Sequence, residues 1–294
     1  MLKTNNLSAE DAAVILELSP ILDIAFVKAI GESERKFYIE TKQGMKRLLR
    51  ITPIKEYQWV KDDDRAYGYM ATVGINVSRQ ISDGVFADGE FYYQLWTWID
   101  GENLLCALPR MSHAEQFAVG VKFGEATRKI HSLTPMYDNH EPWGVLCRRN
   151  VQDKIQSYNN SPEKSRGTDL LVRYLQENME LLANRPTAFL TGNFNTSNLM
   201  VTPDNRIWFI DCAFYSGDPW IEFWEINGDD KYFNTGLIKG YFDGEPPVEY
   251  FPLLAFYRAM ETLNWGYDPE IVLSWYDDMR NPVPNWYLSQ SEPV

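Results

Sequence analysis

Apolar and polar positions alternate in the first hundred residues and then follow a longer period. Residues 25–30, 36–41 and 47–51 are short apolar-rich runs, separated by Gly31-Glu32-Ser33-Glu34 and Lys42-Gln43-Gly44. Two-residue alternation between turns of that chemistry predicts antiparallel strands. Further strands are predicted over 77–81 and 90–98, with a turn near Asp83-Gly84 between them. A helix opens at Ser8, with Glu10 and Asp11 in its first turn, and closes at Pro20. A second helix is predicted over 55–72. From Ser112 the period becomes helical: Ser112 and Glu115 have the spacing of a capping box, which opens a helix running to about His131. Residues 139–167 show no period and predict an irregular excursion. Residues 168–183 are amphipathic, with Leu171, Leu175, Met179 and Leu182 in step. Helices are expected again over 220–228, 230–242, 249–264 and 269–279, before a proline-stiffened tail at 281–287.

One stretch, residues 186–226, reads differently. A buried entry (188–190) leads into a polar loop (191–198). Apolar strands over 199–201 and 207–210 flank Pro203-Asp204-Asn205, a strong hairpin signal. Asn198 precedes the first strand and Asp211 follows the second, so the hairpin brings them to the same end. Two oxygen donors there form a hard-cation site of the kind that holds Mg²⁺ against phosphates. Taken singly, each residue is an ordinary turn or loop cap. Gly217-Asp218-Pro219-Trp220 follows closely and favours the paired reading.

Composition adds limits. The chain has 294 residues, 45% hydrophobic and 14% aromatic, enough for a full core in one large domain or two lobes. No run approaches the roughly 18 apolar residues of a membrane span. Cys106, Cys147 and Cys212 are far apart, which disfavours a disulfide framework or zinc site and makes a reducing cytoplasm the expected location. The net charge is −13, with −11 falling from Asp211 onward. Such a half repels nucleic acid and attracts cations; it reads either as a soluble acidic surface or as a site for a polycationic substrate.

The 186–226 stretch resembles the catalytic and metal-binding segment of the aminoglycoside phosphotransferase family, a branch of the protein-kinase-like fold. That segment reads His-Gly-Asp, aromatic, His, two residues, Asn, then an apolar hairpin ending in Ile-Asp, then Gly-Asp-Pro. Gly192, Phe194, Asn198, Ile210-Asp211 and Gly217-Asp218-Pro219 match it. Thr191, Asn193 and Asn195 stand in place of its His, catalytic Asp and His.

The resemblance implies an α+β, bilobal fold: a small antiparallel-sheet N-lobe over residues 1–98 and a larger, mainly helical C-lobe over 99–294. It implies ATP as co-substrate and Mg²⁺ on Asn198 and Asp211. The turn 31–34 would lie over the phosphates, although one glycine beside two acids makes a poor cradle. Arg50 takes the position of the phosphate-contacting Lys, and Asp63 that of its acidic partner; Asp63 also reads as part of a solvated acidic face with Asp62 and Asp64. Trp96 would be the gatekeeper, with the Thr97 carbonyl and Ile99 amide contacting the nucleotide, while the aromatic cluster also reads as core. Asp218, Glu222, Glu225 and Glu261 are candidate contacts for a cationic, hydroxyl-bearing small molecule, or a solvated acidic face. Asn193 occupies the catalytic position, and an amide is not a useful base. The implied activity is therefore that of an antibiotic-type kinase, slow or inactive at the base position. The alternative is a pseudokinase that binds nucleotide or ligand without turnover. Neither nucleic acid nor membrane is an expected partner.

Overall fold

The alternation of the first hundred residues becomes a six-stranded sheet in the computed structural model, which describes residues 2–5, 7–30, 35–137, 140–162, 164, 167–226, 229–265, 281 and 283–287. The turn expected at 31–34 and the helix expected over 269–279 lie outside those residues. The elements are β1 (Lys3–Asn5), α1 (Ala9–Leu22), β2 (Ile24–Ile30), β3 (Lys36–Thr41), β4 (Lys46–Pro53), α2 (Tyr57–Val60), α3 (Asp63–Ala71), β5 (Gln80–Phe86) and β6 (Phe91–Thr97). Strand order is β1-β2-β3-β4-β6-β5. β1 runs parallel to β2 and the other neighbours are antiparallel, so the sheet is mixed rather than purely antiparallel. β1 consists of three exposed polar residues, with no apolar alternation to announce a strand.

The two faces of this sheet are covered differently. Leu49 and Ile51 of β4 point to one face, where they join Val14, Ile15 and Leu18 of α1 with Val27, Phe37, Ile39 and Leu95 in one apolar cluster. Full burial of each such side chain is worth about 1.5–3 kcal/mol. α1 begins as expected, the Ser8 hydroxyl accepting from the Asp11 amide at 3.0 Å. Pro20 sits inside its last turn instead of closing it, and Asp23 ends the helix in a left-handed conformation. The other face carries α2 and α3: Tyr57 meets Tyr92 edge-on at 4.8 Å and Tyr67 meets Trp96 at 5.5 Å. The single helix expected over 55–72 is thus a 3-10 turn (Ile54–Glu56) and two helices. The break at Lys61-Asp62 puts Asp63 and Asp64 in the first turn of α3, where a helix N-terminus favours acids. Asp83-Gly84, expected as a turn, lies within β5. A Cβ on Gly84 would come within 2.8 Å of the Tyr93 ring on the paired strand, which would have to move.

The chain divides into two compact units, Met1–Gly101 with Thr202–Arg206, and Glu102–Val201 with Ile207–Val294. The second contains β7 (Glu102–Asn103), α4 (Leu104–Ala107), α5 (His113–His131), α6 (Trp143–Asn160), α7 (Thr168–Glu177), β8 (Ala188–Leu190), β9 (Leu199–Val201), β10 (Ile207–Phe209), β11 (Tyr215–Gly217), α8 (Lys231–Phe242) and α9 (Tyr250–Trp265). β10-β9-β7 make one small sheet and β11-β8 another. α5 opens with the expected capping box, both halves formed. α6 overturns the expected irregular excursion. It buries only Cys147, Val151 and Ile155, a stripe too narrow to stand out from its polar surroundings. Those residues pack with Leu171 and Leu175 of α7 and with Leu253, Phe256 and Tyr257 of α9. The helix expected over 220–228 is a short 3-10 turn, Pro219–Phe223.

α5 and α8 cross at van der Waals distance through glycine. A Cβ on Gly124 would lie 2.1 Å from the Leu237 carbonyl oxygen, and one on Gly240 would lie 2.2 Å from that of Val121. Backbone-to-backbone approach of this kind excludes any side chain at either position.

Candidate functional site

The hairpin expected between 199 and 210 is present. Leu199 pairs with Phe209 and Val201 with Ile207, and the Thr202 amide donates to the Arg206 carbonyl at 2.9 Å across the turn. Asn205 supplies the left-handed residue that the turn needs. At the open end the Ile210 amide donates to the Asn198 carbonyl at 2.9 Å, which sets Asn198 beside the chain entering Asp211. Asp211 itself has φ 54°, in the left-handed region. A non-glycine residue held there is the kind of local strain found at functional sites.

The loop ahead of the hairpin is laced to the same end. The Asn193 side-chain amide donates to the Asp211 carbonyl at 3.1 Å, and the Asn198 side-chain amide donates to the Asn193 carbonyl at 2.9 Å. Asn195 Nδ2 donates to Asn193 Oδ1 at 3.2 Å, while Asn195 Oδ1 accepts from the Ser197 amide at 3.0 Å. Residues 193, 198 and 211 are therefore one bonded unit. The bond from Asn198 Nδ2 leaves its Oδ1 on the other side of the amide group. Asn193 is exposed, and Asn198 and Asp211 are half-buried. Among the described residues no group of three His, Cys, Asp or Glu converges as a metal cage. Two oxygen ligands still suit Mg²⁺, which keeps several waters and takes its remaining ligands from phosphates.

Beneath this rim lies a buried scaffold. The Thr191 hydroxyl donates to Glu222 Oε1 at 2.7 Å and the Gly192 amide to the same oxygen at 2.5 Å. His131 Nε2 lies 2.8 Å from Glu222 Oε2, and His131 Nδ1 lies 2.9 Å from the Tyr241 hydroxyl. Gly192 has φ 79°, and a Cβ there would meet the Ala213 carbonyl oxygen at 2.0 Å. Asp218 is fully buried. It accepts from Arg185 Nη2 at 3.1 Å and from the Tyr257 hydroxyl at 2.7 Å, and it caps the following turn through the Trp220 amide at 2.8 Å. Burial first, then Asp218, pushes the Tyr257 phenol far above its ordinary value. Arg185 also stacks on the Trp220 ring at 4.1 Å.

These bonds correct the sequence expectation for Asp218 and Glu222, which were expected to contact substrate. A carboxylate is buried at this depth only when bonded partners replace its water, and the partners here are all internal. Glu225 is exposed, and Glu261 is half-buried on α9. Sequence reading had no signal for these partners, because His131, Arg185 and Tyr257 are remote in the chain.

In the first unit, Arg50 Nη1 donates to Asp63 Oδ2 at 2.9 Å. The shorter acid reaches its partner because the break before α3 sets Asp63 in the first turn. Trp96 is buried, and its Nε1 has no partner among the described residues. The Thr97 amide donates to the Arg79 carbonyl at 2.9 Å, and the Thr97 carbonyl accepts from the Ser78 hydroxyl at 2.7 Å. Ile99 is buried, and its carbonyl accepts from the Gly101 amide at 2.9 Å.

Residues 27–245 match the sequence model of the phosphotransferase enzyme family, APH. The chain belongs to that family. Solved structures carry the same fold at low identity. Aminoglycoside 2'-phosphotransferase-IIIa in complex with GDP is 12% identical, with a TM-score of 0.68 over 92% of this chain and 98% of that one. Amicoumacin kinase hAmiN with AMP-PNP, Ca²⁺ and Ami is 12% identical, with a TM-score of 0.62 over 94% and 95%. Aminoglycoside phosphotransferase APH(3'')-Id from Streptomyces rimosus, with ADP and streptomycin, is 15% identical, with a TM-score of 0.56 over 88% and 100%. A search of curated proteins finds no match. This APH-family chain thus has the α+β, kinase-like fold that its hairpin segment implied. Among the described residues, no helix is long and apolar enough to cross a membrane.

Proposed function

We propose that this protein is an ATP-dependent phosphotransferase that modifies a hydroxyl of a small cationic molecule, with turnover limited by the amide at position 193. The observation that carries this reading is the bonded unit of Asn193, Asn198 and Asp211 at the open end of the hairpin. Asn198 Oδ1 and the Asp211 carboxylate are the residues that would hold Mg²⁺, and Arg50, fixed by Asp63, would hold phosphates in a fork. Bound Mg²⁺ and ATP would supply charge neutralisation and the phosphoryl group. Trp96, Thr97 and Ile99 would border the base. Glu225 and Glu261 would meet a cationic substrate, in the half of the chain that carries −11 of the net charge. The molecules named with the structural relatives, ADP with streptomycin and AMP-PNP with Ami, support a nucleotide and a small-molecule substrate.

Asn193 can accept a hydrogen bond from an acceptor hydroxyl and orient it, but it cannot take the proton. Loss of a general base lowers rate by about 10²–10⁴. That amide also favours the second reading, a pseudokinase that binds without turnover. Asn193→Asp separates the two, with ATP turnover measured across a panel of cationic hydroxyl compounds. A rise of about two decades or more is expected for a slowed kinase. No rise with nucleotide binding intact assigns the protein to the pseudokinase reading. Failure of millimolar ATP with Mg²⁺ to raise the melting temperature would overturn both, because a ligand of the native state must stabilise it.

A further inference from the structure

The first unit contains a cavity of about 470 Å³ between its sheet and α2, lined by Arg35, Lys36, Arg50, Thr52, Trp59 and Val60 among others. Its size falls in the range of small-molecule sites. Lys36 and Arg50 are direct partners on the neighbouring antiparallel strands β3 and β4. Their neighbours Phe37, Leu49 and Ile51 are buried on the α1 side. Both cations therefore leave the sheet on the opposite face, toward α2 and α3.

Like charges directly opposite across a strand pair destabilise it. Asp63 offsets Arg50 at 2.9 Å, and Glu56 is the acid in the cavity lining. Arg35, the third cation, is tied to Glu10 and Asp11 of α1 and stacks on Phe91, so it forms a wall rather than a ligand. A guanidinium has five donors, and Asp63 takes one of them at Nη1. The sequence at 31–34 holds one glycine and two acids, a poor composition for a backbone phosphate cradle.

We propose that Lys36 is a phosphate-binding residue that grips the polyphosphate of a nucleoside triphosphate jointly with Arg50, replacing with a side chain what a glycine-rich turn supplies by its backbone. This rests on the nucleotide reading above, and the test keeps the two apart. Affinities for ATP with Mg²⁺, for adenosine and for inorganic triphosphate are measured by calorimetry on the full chain, for the wild type, Lys36→Gln and Lys36→Arg.

Loss of one charge-assisted hydrogen bond weakens binding by about tenfold. The expected result is that loss for ATP and triphosphate in Lys36→Gln, recovery in Lys36→Arg, and unchanged adenosine affinity. ATP affinity unchanged in Lys36→Gln overturns the proposal and leaves the nucleotide reading standing. An equal loss for adenosine also overturns it, since the effect would then be structural. If the wild type binds no ATP, the nucleotide reading falls. Lys36-dependent triphosphate binding would then retain the cavity as an anion site, and its absence would remove that too.

Discussion

Glu222 and Asn193 stand close to the same backbone turn and are held in opposite ways. Glu222 is buried, with the Thr191 hydroxyl, the Gly192 amide and His131 on its two oxygens. Asn193 is exposed and joined to its surroundings by hydrogen bonds from and to neutral amides, at 2.9–3.2 Å. The charge that fixes the loop lies beneath it, out of water and fully partnered. The rim that would meet a substrate is built from neutral amides and one half-buried carboxylate. Position and chemistry are thus carried by different residues, and a substitution in one layer is separable from a substitution in the other.

The largest expected effect lies in the buried layer. Glu222→Ala leaves the Gly192 amide, Thr191 and His131 without their shared acceptor, and breaking a buried pair of this kind costs about 3–5 kcal/mol. Denaturant melts should show that loss, with Glu222→Gln losing less because its amide oxygen still accepts. Asn193→Asp, in the rim, should shift stability by less than about 1 kcal/mol while changing turnover. Equal stability losses for the two variants would contradict the separation of layers.

A smaller pair of effects contrasts the two units through glycine. A Cβ on Gly124 of α5 would lie 2.1 Å from backbone oxygen of α8, whereas one on Gly68 of α3 meets nothing within 4 Å. Gly124→Ala forces the helices apart and should destabilise by about 1–3 kcal/mol. Gly68→Ala should stabilise by about 0.4–1 kcal/mol, because the unfolded chain loses freedom and no contact is disturbed. The same chemical change then has opposite signs, and melting free energies of the two variants test it directly.

What could be read from the chain follows from how far apart the interacting residues are. The hairpin from Leu199 to Phe209, the Ser112–Glu115 box and the strands around Arg50 are encoded by neighbours, so spacing and turn chemistry were sufficient. Asp218 and Glu222 were misread as surface acids, because Arg185, Tyr257, Thr191 and His131 reach them only through the folded chain. α6 was hidden for another reason: three buried residues in eighteen give little periodic signal. β1 has no apolar position at all, and only its pairing with β2 marks it as a strand. The glycines of the α5–α8 crossing looked neutral in sequence, although each lies against the other helix's backbone.

The smallest expected effect belongs to the capping box, at the exposed start of α5. The Ser112 hydroxyl first, and then its backbone amide, hold the Glu115 carboxyl below its ordinary value of 4.5. A carboxylate whose value is depressed by folding contributes stability above its unfolded value and loses it as pH falls through the folded one. That contribution is therefore fully present at neutral pH and declines below 4.5, where Glu115 takes up a proton and releases Ser112. Ser112→Ala should lower stability by about 1 kcal/mol at neutral pH through loss of the cap. It should also lessen the acid decline, because the main donor to Glu115 is gone. Glu115→Gln should remove its own share of that decline, having no proton to bind. Melting temperatures followed from neutral pH into the acid range would show the wild-type curve falling more steeply than either variant. Parallel curves would mean that the box holds the helix start without responding to pH.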